Sequence, residues 1–188
     1  MIQVSDAGLP GLLLVEPTVH RDGRGFFLET IRTDELRAAG IDQEFMQHNH
    51  SRSTRGTVRG LHFQAPPGQA KLVRVARGAI LDVAVDVRGG SDHFGRHVAV
   101  QLDDMTHRQL YVPPGFAHGF AVLSDEADVI YAVSRVYDPT LEHGVAWDDP
   151  ALGIQWPFSD PVLSDRDRRN PPLSALDPSL TQWQTGDR

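Results

Sequence analysis

The sequence predicts an all-β fold, either a closed barrel or a double-sheet jelly roll. Short apolar runs recur along the chain, and Gly, Pro and Asp turn residues separate them. The clearest run covers residues 79–88, where Leu81, Val83, Val85 and Val87 alternate with the intervening residues at a period of two. Only one segment has a helical pattern. Near-regular strands with so little helix are typical of barrels and jelly rolls.

The expected strands follow in chain order from the apolar runs and their turn signals. They cover residues 12–15, 25–31, 43–51, 57–64, 70–76, 79–88, 96–102, 107–112, 118–123 and 128–137. The one helical segment is 34–39, which Thr33 is expected to cap and Gly40 to end. We therefore expect short helices only at the periphery of the sheets.

The chain changes character after residue 137. Four prolines interrupt any long element there: Pro139, Pro150, Pro157 and Pro161. We expect residues 138–170 to form an irregular C-terminal flap that Trp147 and Trp156 anchor to the barrel. Residues 171–188 are rich in Pro, Ser and Asp, and are expected to form a loosely packed tail.

Composition narrows the functional classes. A chain of 188 residues favours one domain, spanning 1–188. A net charge of -7 argues against binding nucleic acid or an anionic membrane surface. Cysteine is absent, which excludes disulfides, a thiolate nucleophile and Cys-ligated zinc. The N-terminus shows no signal-peptide pattern and no apolar stretch approaches a membrane span, so we expect a cytoplasmic protein.

Nine histidines raise the question of a metal site. The pair His48-x-His50 resembles half of a cupin metal site, and Pro113-x-Gly115-x-x-His118 resembles the other half. A cupin site also requires a Glu shortly after the His pair, whereas residues 51–55 contain no carboxylate. We therefore expect no bound metal, and His48 and His50 also fit simple surface positions on one strand face.

A base, a cation and a carboxylate suggest proton-abstraction chemistry inside the barrel. Arg59, His62 and Lys71 fall on consecutive expected strands around the turn at 65–68. Arg59 and His62 differ by an odd number, so both reach one cavity only if Gly60 marks a bulge or a strong twist. Asp167 is either an ordinary loop acid or a hydrogen-bond acceptor that fixes the His62 tautomer.

Each of the other candidate residues fits an ordinary structural role as well as a functional one. Tyr131 taken alone fits a core aromatic with a satisfied hydroxyl. Tyr137 lies six residues after Tyr131, an even number, so on a strand the two side chains would share one face. Its ring offers a surface for stacking. Gln47 and Asn49 share a strand face, where they either hydrogen-bond a ligand or pair with backbone at an edge. Arg24 fits a turn residue as well as a ligand contact.

Taken together, these segments resemble the dTDP-4-dehydrorhamnose 3,5-epimerase family, a metal-free branch of the cupins. The similarity runs in order from about residue 10 to 170, and no single motif carries it. The matching segments are Asp22-x-Arg24-Gly25-x-Phe27-x-Glu29, Gln47-x-Asn49-x-Ser51-x-Ser53, Arg59-Gly60-Leu61-His62-Phe63-Gln64, Gln69-x-Lys71-Leu72-Val73, residues 82–88, Pro113-x-Gly115-Phe116-Ala117-His118-Gly119-Phe120, Tyr131, Tyr137, Trp156-Pro157 and Leu163-Ser164-x-x-Asp167. Two positions depart from the family pattern: His48 replaces the usual acid, and Arg166 stands where Lys is common.

The resemblance implies a homodimeric jelly roll (a cupin double-stranded β-helix) that acts on a dTDP-linked 4-keto-6-deoxy sugar. It implies that His62 is the base with Asp167 as its partner, that Tyr131 is the acid, and that Lys71 supports the enolate. It also implies a set of substrate contacts at Arg24, Glu29, Gln47, Asn49, Arg59, His118, Glu142 and Arg166. Phe26 or Tyr137 is expected to stack on the nucleotide base.

The chemistry is then expected to be epimerisation at carbons 3 and 5, both of which flank the carbon-4 ketone. No cofactor is needed, because the ketone already activates both carbons. Three alternatives stay open: an epimerase acting only at carbon 3 or only at carbon 5, a cupin that only binds nucleotide sugar, and a metal-dependent oxygenase.

Overall fold

The computed structural model describes residues 2–183, and nearly all of their regular structure is β-strand. The strands are β1 (Ile2–Asp6), β2 (Leu13–Pro17), β3 (His20–Asp22), β4 (Gly25–Phe27), β5 (Gln47–Thr54), β6 (Val58–Gln64), β7 (Lys71–Arg77), β8 (Ala79–Asp86), β9 (His97–Asp103), β10 (Gln109–Val112), β11 (Phe116–Val122), β12 (Glu126–Val133) and β13 (Glu142–Gly144). One α-helix, α1 (Thr33–Ala38), and 3-10 helices at Asp167–Arg169, Leu173–Ala175 and Pro178–Thr181 complete the described elements. Within the same residues, no helix is both long and apolar enough to cross a membrane.

Two antiparallel sheets face each other. The six-stranded sheet has the order β1-β2-β10-β7-β12-β5, and the five-stranded sheet has the order β13-β6-β11-β8-β9. Strands β3 and β4 form a separate hairpin. Strands that are neighbours in space are mostly distant in sequence, as in a jelly roll. The predicted all-β jelly roll is confirmed.

The core has three parts, one between the sheets and one on the outer face of each. The inner part joins residues of both sheets, including Val73, Phe120 and Val129. Helix α1 covers the outer face of the six-stranded sheet with Leu36. The flap covers the other outer face, where Leu152 packs against strand β8. Both faces of β8 are therefore buried, although its period-two pattern is typical of a half-buried strand.

Several predicted boundaries are wrong. The predicted strand 25–31 stops at Phe27, and β1, β3 and β13 were not predicted. Helix α1 begins at Thr33 itself: Arg32 holds the N-cap position and no side chain caps the helix. Short elements depend on pairing with a neighbour rather than on local pattern, so β13, which lies among prolines, carries little signal of its own.

The flap and part of the tail are packed more closely than their composition indicates. Trp156 donates its indole N–H to the backbone oxygen of Trp147 at 2.7 Å, and its ring packs against the outer core. In the expected loose tail, Leu173 and Thr181 are buried. The amide of Gly89 also donates to the Thr181 oxygen at 2.6 Å. Two residues of the expected tail are thus held against the fold, while most of residues 171–183 are exposed, so the expectation of loose packing stays a prediction; residues 184–188 lie outside the described range.

Candidate active site

A cavity of about 760 Å³ opens between the two sheets. Four of its lining residues are the candidates for catalysis, His62, Lys71, Tyr131 and Asp167. It is also lined by predicted substrate contacts at Gln47, Asn49, Arg59, His118, Tyr137, Glu142 and Arg166. The fold therefore gathers eleven of the fourteen predicted site residues around one space.

A bulge in β6 brings Arg59 and His62 to the same cavity. On the neighbouring strand β11, His118 pairs with His62 and Phe120 pairs with Arg59, so β6 has one extra residue between the two pairs. Gly60 supplies that residue, with a φ of +128°. A Cβ at Gly60 would lie 2.5 Å from the Cα of Gly119, which leaves room only for glycine. The predicted bulge at Gly60 is confirmed.

His62 and Asp167 form a pair across 105 residues of sequence. Nε2 of His62 lies 2.6 Å from Oδ1 of Asp167, and Asp167 is buried. Burial opposes ionisation of this carboxyl, but hydrogen bonds from His62, Ser164 and the Gly60 amide outweigh it and lower the pKa of Asp167. An ionised Asp167 fixes the imidazole orientation and leaves Nδ1 as the nitrogen free to exchange a proton.

Lys71 lies at the start of β7 and is the only lysine in the chain. Its Nζ donates to the backbone oxygen of His62 at 3.3 Å. Burial lowers the pKa of Lys71 to about 8, although the carboxylates of Glu142 and Asp82 act in the opposite direction. The ammonium is therefore poorly solvated, and it is available to an anion that forms in the cavity.

Tyr131 stands on the wall opposite His62. It lies on β12 of the six-stranded sheet, whereas His62 lies on β6 of the five-stranded sheet. The register pairs Tyr131 with Val73 and Val133 with Lys71, so Tyr131 and Lys71 share one face of their sheet. Burial raises the pKa of Tyr131, and the charge of Arg59 acts against that rise. The phenol is therefore kept protonated at neutral pH.

Three side chains form a linked group at one side of the cavity. The Tyr137 hydroxyl donates to Oε2 of Glu142 at 2.5 Å, and Arg166 pairs with the same oxygen. Burial opposes ionisation of Glu142, but these bonds outweigh it and lower the pKa of that carboxyl. Gln47 accepts from the Tyr137 amide at 2.9 Å and donates to Asn49 at 2.8 Å. The group fixes several polar side chains on the wall of the cavity.

A second imidazole–carboxylate pair was missed by the sequence reading. Nε2 of His118 lies 2.8 Å from Oδ1 of Asp82, and both residues are buried. Asp82 sits in the alternating run of β8, where the pattern gives it no more weight than its neighbour Asp86. The sequence carries no separate signal for this pair, because only the pairing of β8 with β11 places Asp82 diagonally to His118.

Three predicted contacts lie away from this cavity. Arg24 pairs with Asp22 at 2.6 Å and its side chain is 92% exposed. Phe26 is exposed beside the His107 ring, with centroids 4.5 Å apart. Glu29 faces Arg32 at 3.5 Å. A single copy of the chain therefore does not bring Arg24, Phe26 and Glu29 to the cavity.

The histidines do not assemble a metal centre in the described part of the chain. No three His, Asp or Glu side chains within residues 2–183 are grouped so as to hold a metal ion. His48 and His50 are exposed on the outer face of β5, and His50 contacts Asp128 at 3.3 Å. His118 faces the cavity instead, with Nε2 already bonded to Asp82.

Comparison with known proteins gives a consistent result. The family model for dTDP-4-dehydrorhamnose 3,5-epimerase matches residues 6–175. The dTDP-4-dehydrorhamnose 3,5-epimerase of Methanothermobacter thermautotrophicus is 46% identical over 168 residues, which cover 88% of this chain and 91% of that one. A similar solved structure is that of a dTDP-6-deoxy-D-glucose-3,5-epimerase from Legionella pneumophila, in complex with dTDP-4-keto-L-rhamnose. It superposes with a TM-score of 0.95 at 38% sequence identity, and the match covers 99% of this chain and 100% of that chain.

A relative with narrower activity is also similar. The 3'-monoepimerase ChmJ of Streptomyces bikiniensis, solved with dTDP-quinovose, is 42% identical with a TM-score of 0.85, over 89% of this chain and 86% of that chain. The match of the family model to most of the chain, together with these identities, shows that the protein belongs to the dTDP-4-dehydrorhamnose 3,5-epimerase family.

Proposed function

We propose that this protein epimerises a dTDP-linked 4-keto-6-deoxy sugar at carbons 3 and 5. The observation that carries the proposal is the arrangement of the cavity. His62, paired with Asp167 of the flap, lies on one sheet, while a phenol and an ammonium lie on the facing sheet. Inversion at carbon requires removal of a proton from one side of a sugar ring and its return from the other, and this arrangement supplies a group on each side.

His62 removes the proton. A hydrogen beside a ketone is a far weaker acid than imidazolium, whose reference pKa is about 6.5, so the enolate must be stabilised as it forms. Asp167 holds the ring and balances the charge that His62 gains, at 2.6 Å. Lys71 supplies the cation for the developing oxyanion. A preorganised donor of this kind is typically worth about 2.7–4 kcal/mol.

Tyr131 returns the proton from the opposite face. Its raised pKa keeps it protonated until the enolate carbon accepts the proton. Each inversion leaves His62 protonated and Tyr131 deprotonated, so both groups exchange protons with water before they act again. Carbons 3 and 5 both adjoin the ketone, so a shift of the sugar then presents the second carbon to the same set.

The rest of the cavity binds the substrate. Arg59 and Arg166 are the cations that we assign to the diphosphate, against the acidic average of the chain. Gln47, Asn49 and His118 offer hydrogen bonds to the sugar. Tyr137 offers a ring to the nucleotide base, and Glu142 orders Tyr137 and Arg166.

We further propose a homodimer in which the β3–β4 hairpin of one copy completes the cavity of the other. The hairpin pairs with neither main sheet, and it exposes two adjacent aromatic residues, Phe26 at 54% and Phe27 at 67%. Exposed aromatic residues of this kind are typical of interfaces. Insertion into a partner would explain how Arg24, Phe26 and Glu29 act on substrate although they lie outside their own chain's cavity.

Epimerisation at carbon 3 alone is the second candidate. The likeness to the 3'-monoepimerase ChmJ favours it over a binding-only cupin. The same base and acid serve either reaction, and the number of positions treated depends on how the sugar turns in the cavity.

Proton NMR in deuterated water tests both candidates directly. The wild-type protein with dTDP-4-keto-6-deoxyglucose is expected to exchange hydrogen for deuterium at carbons 3 and 5. Exchange at carbon 3 alone would establish the second candidate. His62→Ala is expected to abolish exchange, whereas His48→Ala, an exposed histidine outside the cavity, is expected to keep it. Retained exchange in His62→Ala would remove His62 as the base.

A further inference from the structure

Gly144 and Asn170 are in close contact beside the His62–Asp167 pair. Gly144 ends β13 and is the direct cross-strand partner of His62. A Cβ built on Gly144 would lie 2.3–2.5 Å from Oδ1, Cγ and Nδ2 of Asn170, the three atoms of one carboxamide. The φ of Gly144 is outside the left-handed region, so its backbone does not require glycine. A side chain at this position would instead have to displace the Asn170 carboxamide, whose Nδ2 is buried.

This contact lies at one end of the segment that carries Asp167. Asn170 follows the 3-10 helix Asp167–Arg169, and its amide donates to the Asp167 oxygen at 3.4 Å. The next residue is fixed as well, because the amide of Ala146 donates to the Pro171 oxygen at 2.8 Å. At the other end, Val162 forms a parallel bridge with Thr57. Asp167 thus lies between two attachments of its segment, one at Val162 and one beside Gly144 at Asn170. The attachment at Asn170 is the nearer of the two to Asp167 in sequence.

The contact joins the strand beside the base to the turn that carries its carboxylate. If the buried Asn170 carboxamide is displaced together with its backbone, Asp167, three residues earlier, moves with it and the 2.6 Å contact with Nε2 of His62 changes. Such contacts are sensitive, because a displacement of about 1 Å at a catalytic group can lower the rate roughly 100-fold. The Nδ2 of Asn170 is buried without a hydrogen-bond partner in the described residues. The carboxamide thus packs against Gly144 without a hydrogen bond from that nitrogen.

We propose that Gly144 and Asn170 form a clasp that sets the position of Asp167 against His62. Both are positioning residues that act through Asp167 and do not touch the substrate. The proposal rests on the proposed function, in which Asp167 orients the base.

Enlarging Gly144 and then relieving the clash tests the clasp. Gly144→Ala is expected to lower kcat about 100-fold while KM stays within about threefold. Adding Asn170→Ala removes the three atoms nearest to the new Cβ, so the double variant is expected to regain activity to within about tenfold of wild type. Gly153→Ala is the control for a general effect on stability, because its φ of +62° strains an alanine while its added Cβ meets nothing within 4 Å.

A double-mutant cycle with Asp167→Ala separates positioning from general damage. If the clasp acts through Asp167, Gly144→Ala lowers kcat no further in the Asp167→Ala background. A further large loss there, or no recovery in Gly144→Ala/Asn170→Ala, would overturn the clasp and leave the proposed function intact. Full activity of Asp167→Ala itself would overturn the role of Asp167, and the clasp with it.

Discussion

Lys71→Met is expected to stabilise the fold while it disables the enzyme. Lowering the pKa of an ammonium from 10.5 to about 8 corresponds to roughly 3 kcal/mol, because each pKa unit is worth about 1.4 kcal/mol. The lost hydrogen bond to the His62 oxygen offsets about 1 kcal/mol of this. Lys71→Met should therefore be about 2 kcal/mol more stable than wild type at pH 7.

The sign of the pH dependence follows from the same shift. The folded-state pKa is depressed, so the penalty for burying a charged Lys71 is fully present below about pH 8. Between about 8 and 10.5 the unfolded chain still binds the proton that the folded chain has lost, and wild-type stability rises relative to Lys71→Met. The advantage of the variant should shrink by roughly 3 kcal/mol over that range. Activity that depends on the ammonium should fall over the same range.

The assay is urea unfolding of both proteins at pH 7 and pH 10, at one protein concentration. Arg77→Met is the matched control, since Arg77 is an exposed cation on the same strand, 3.9 Å from Glu126. It should change stability by under about 1 kcal/mol. A variant less stable than wild type at pH 7, or a difference that does not change with pH, would refute the reasoning. Because Lys71 is the only lysine, isotope-labelled lysine gives one side-chain NMR signal whose titration reports the pKa directly.

Two further predictions concern the shared site and the bulge. If Arg24 serves the partner's cavity, inactive Arg24→Ala and His62→Ala proteins should regain activity when they are mixed under conditions that let subunits exchange. About a quarter of wild-type activity is expected, because half of the dimers are mixed and each of these carries one intact site. No recovery would place Arg24 outside a shared site. Gly60→Ala should lose about 3 kcal/mol in denaturant unfolding as well as most of kcat, because its Cβ meets backbone at 2.5 Å. Gly56→Ala, whose Cβ meets nothing within 4 Å, should lose only about 1 kcal/mol and keep kcat; equal losses in both glycine variants would contradict the role of the bulge.

The fold class followed from local pattern, whereas the details depended on long-range pairing. The alternation at 79–88 marks a strand, but only the flap explains why both of its faces are buried. Arg59 and His62 are an odd number of residues apart, which places them on opposite faces of a regular strand. Their expected meeting in one cavity therefore required a bulge, and Gly60 provides it. Pattern could not find β13, since three residues among prolines become a strand only by pairing with β6.

The residues of the candidate site were likewise only partly predictable from local sequence, because several of their contacts depend on long-range pairing. No spacing rule joins His62 to Asp167 across 105 residues, so the family resemblance carried that expectation. Asp82 was passed over because a carboxylate in an alternating strand is ordinarily solvated, and only the fold buries it against His118. Arg24 and Glu29 matched a family pattern, which says nothing about whether a residue serves its own chain or a partner.

The proton return across the cavity can be observed in a single measurement. Tyr131→Phe with dTDP-4-keto-6-deoxyglucose in deuterated water should still exchange hydrogen at carbons 3 and 5, because His62 and Lys71 are intact, while the fully inverted product fails to accumulate. Tyr111→Phe, a tyrosine buried on the outer side of the same sheet, should behave as wild type. Normal accumulation of the inverted sugar by Tyr131→Phe would contradict the assignment of Tyr131 as the acid.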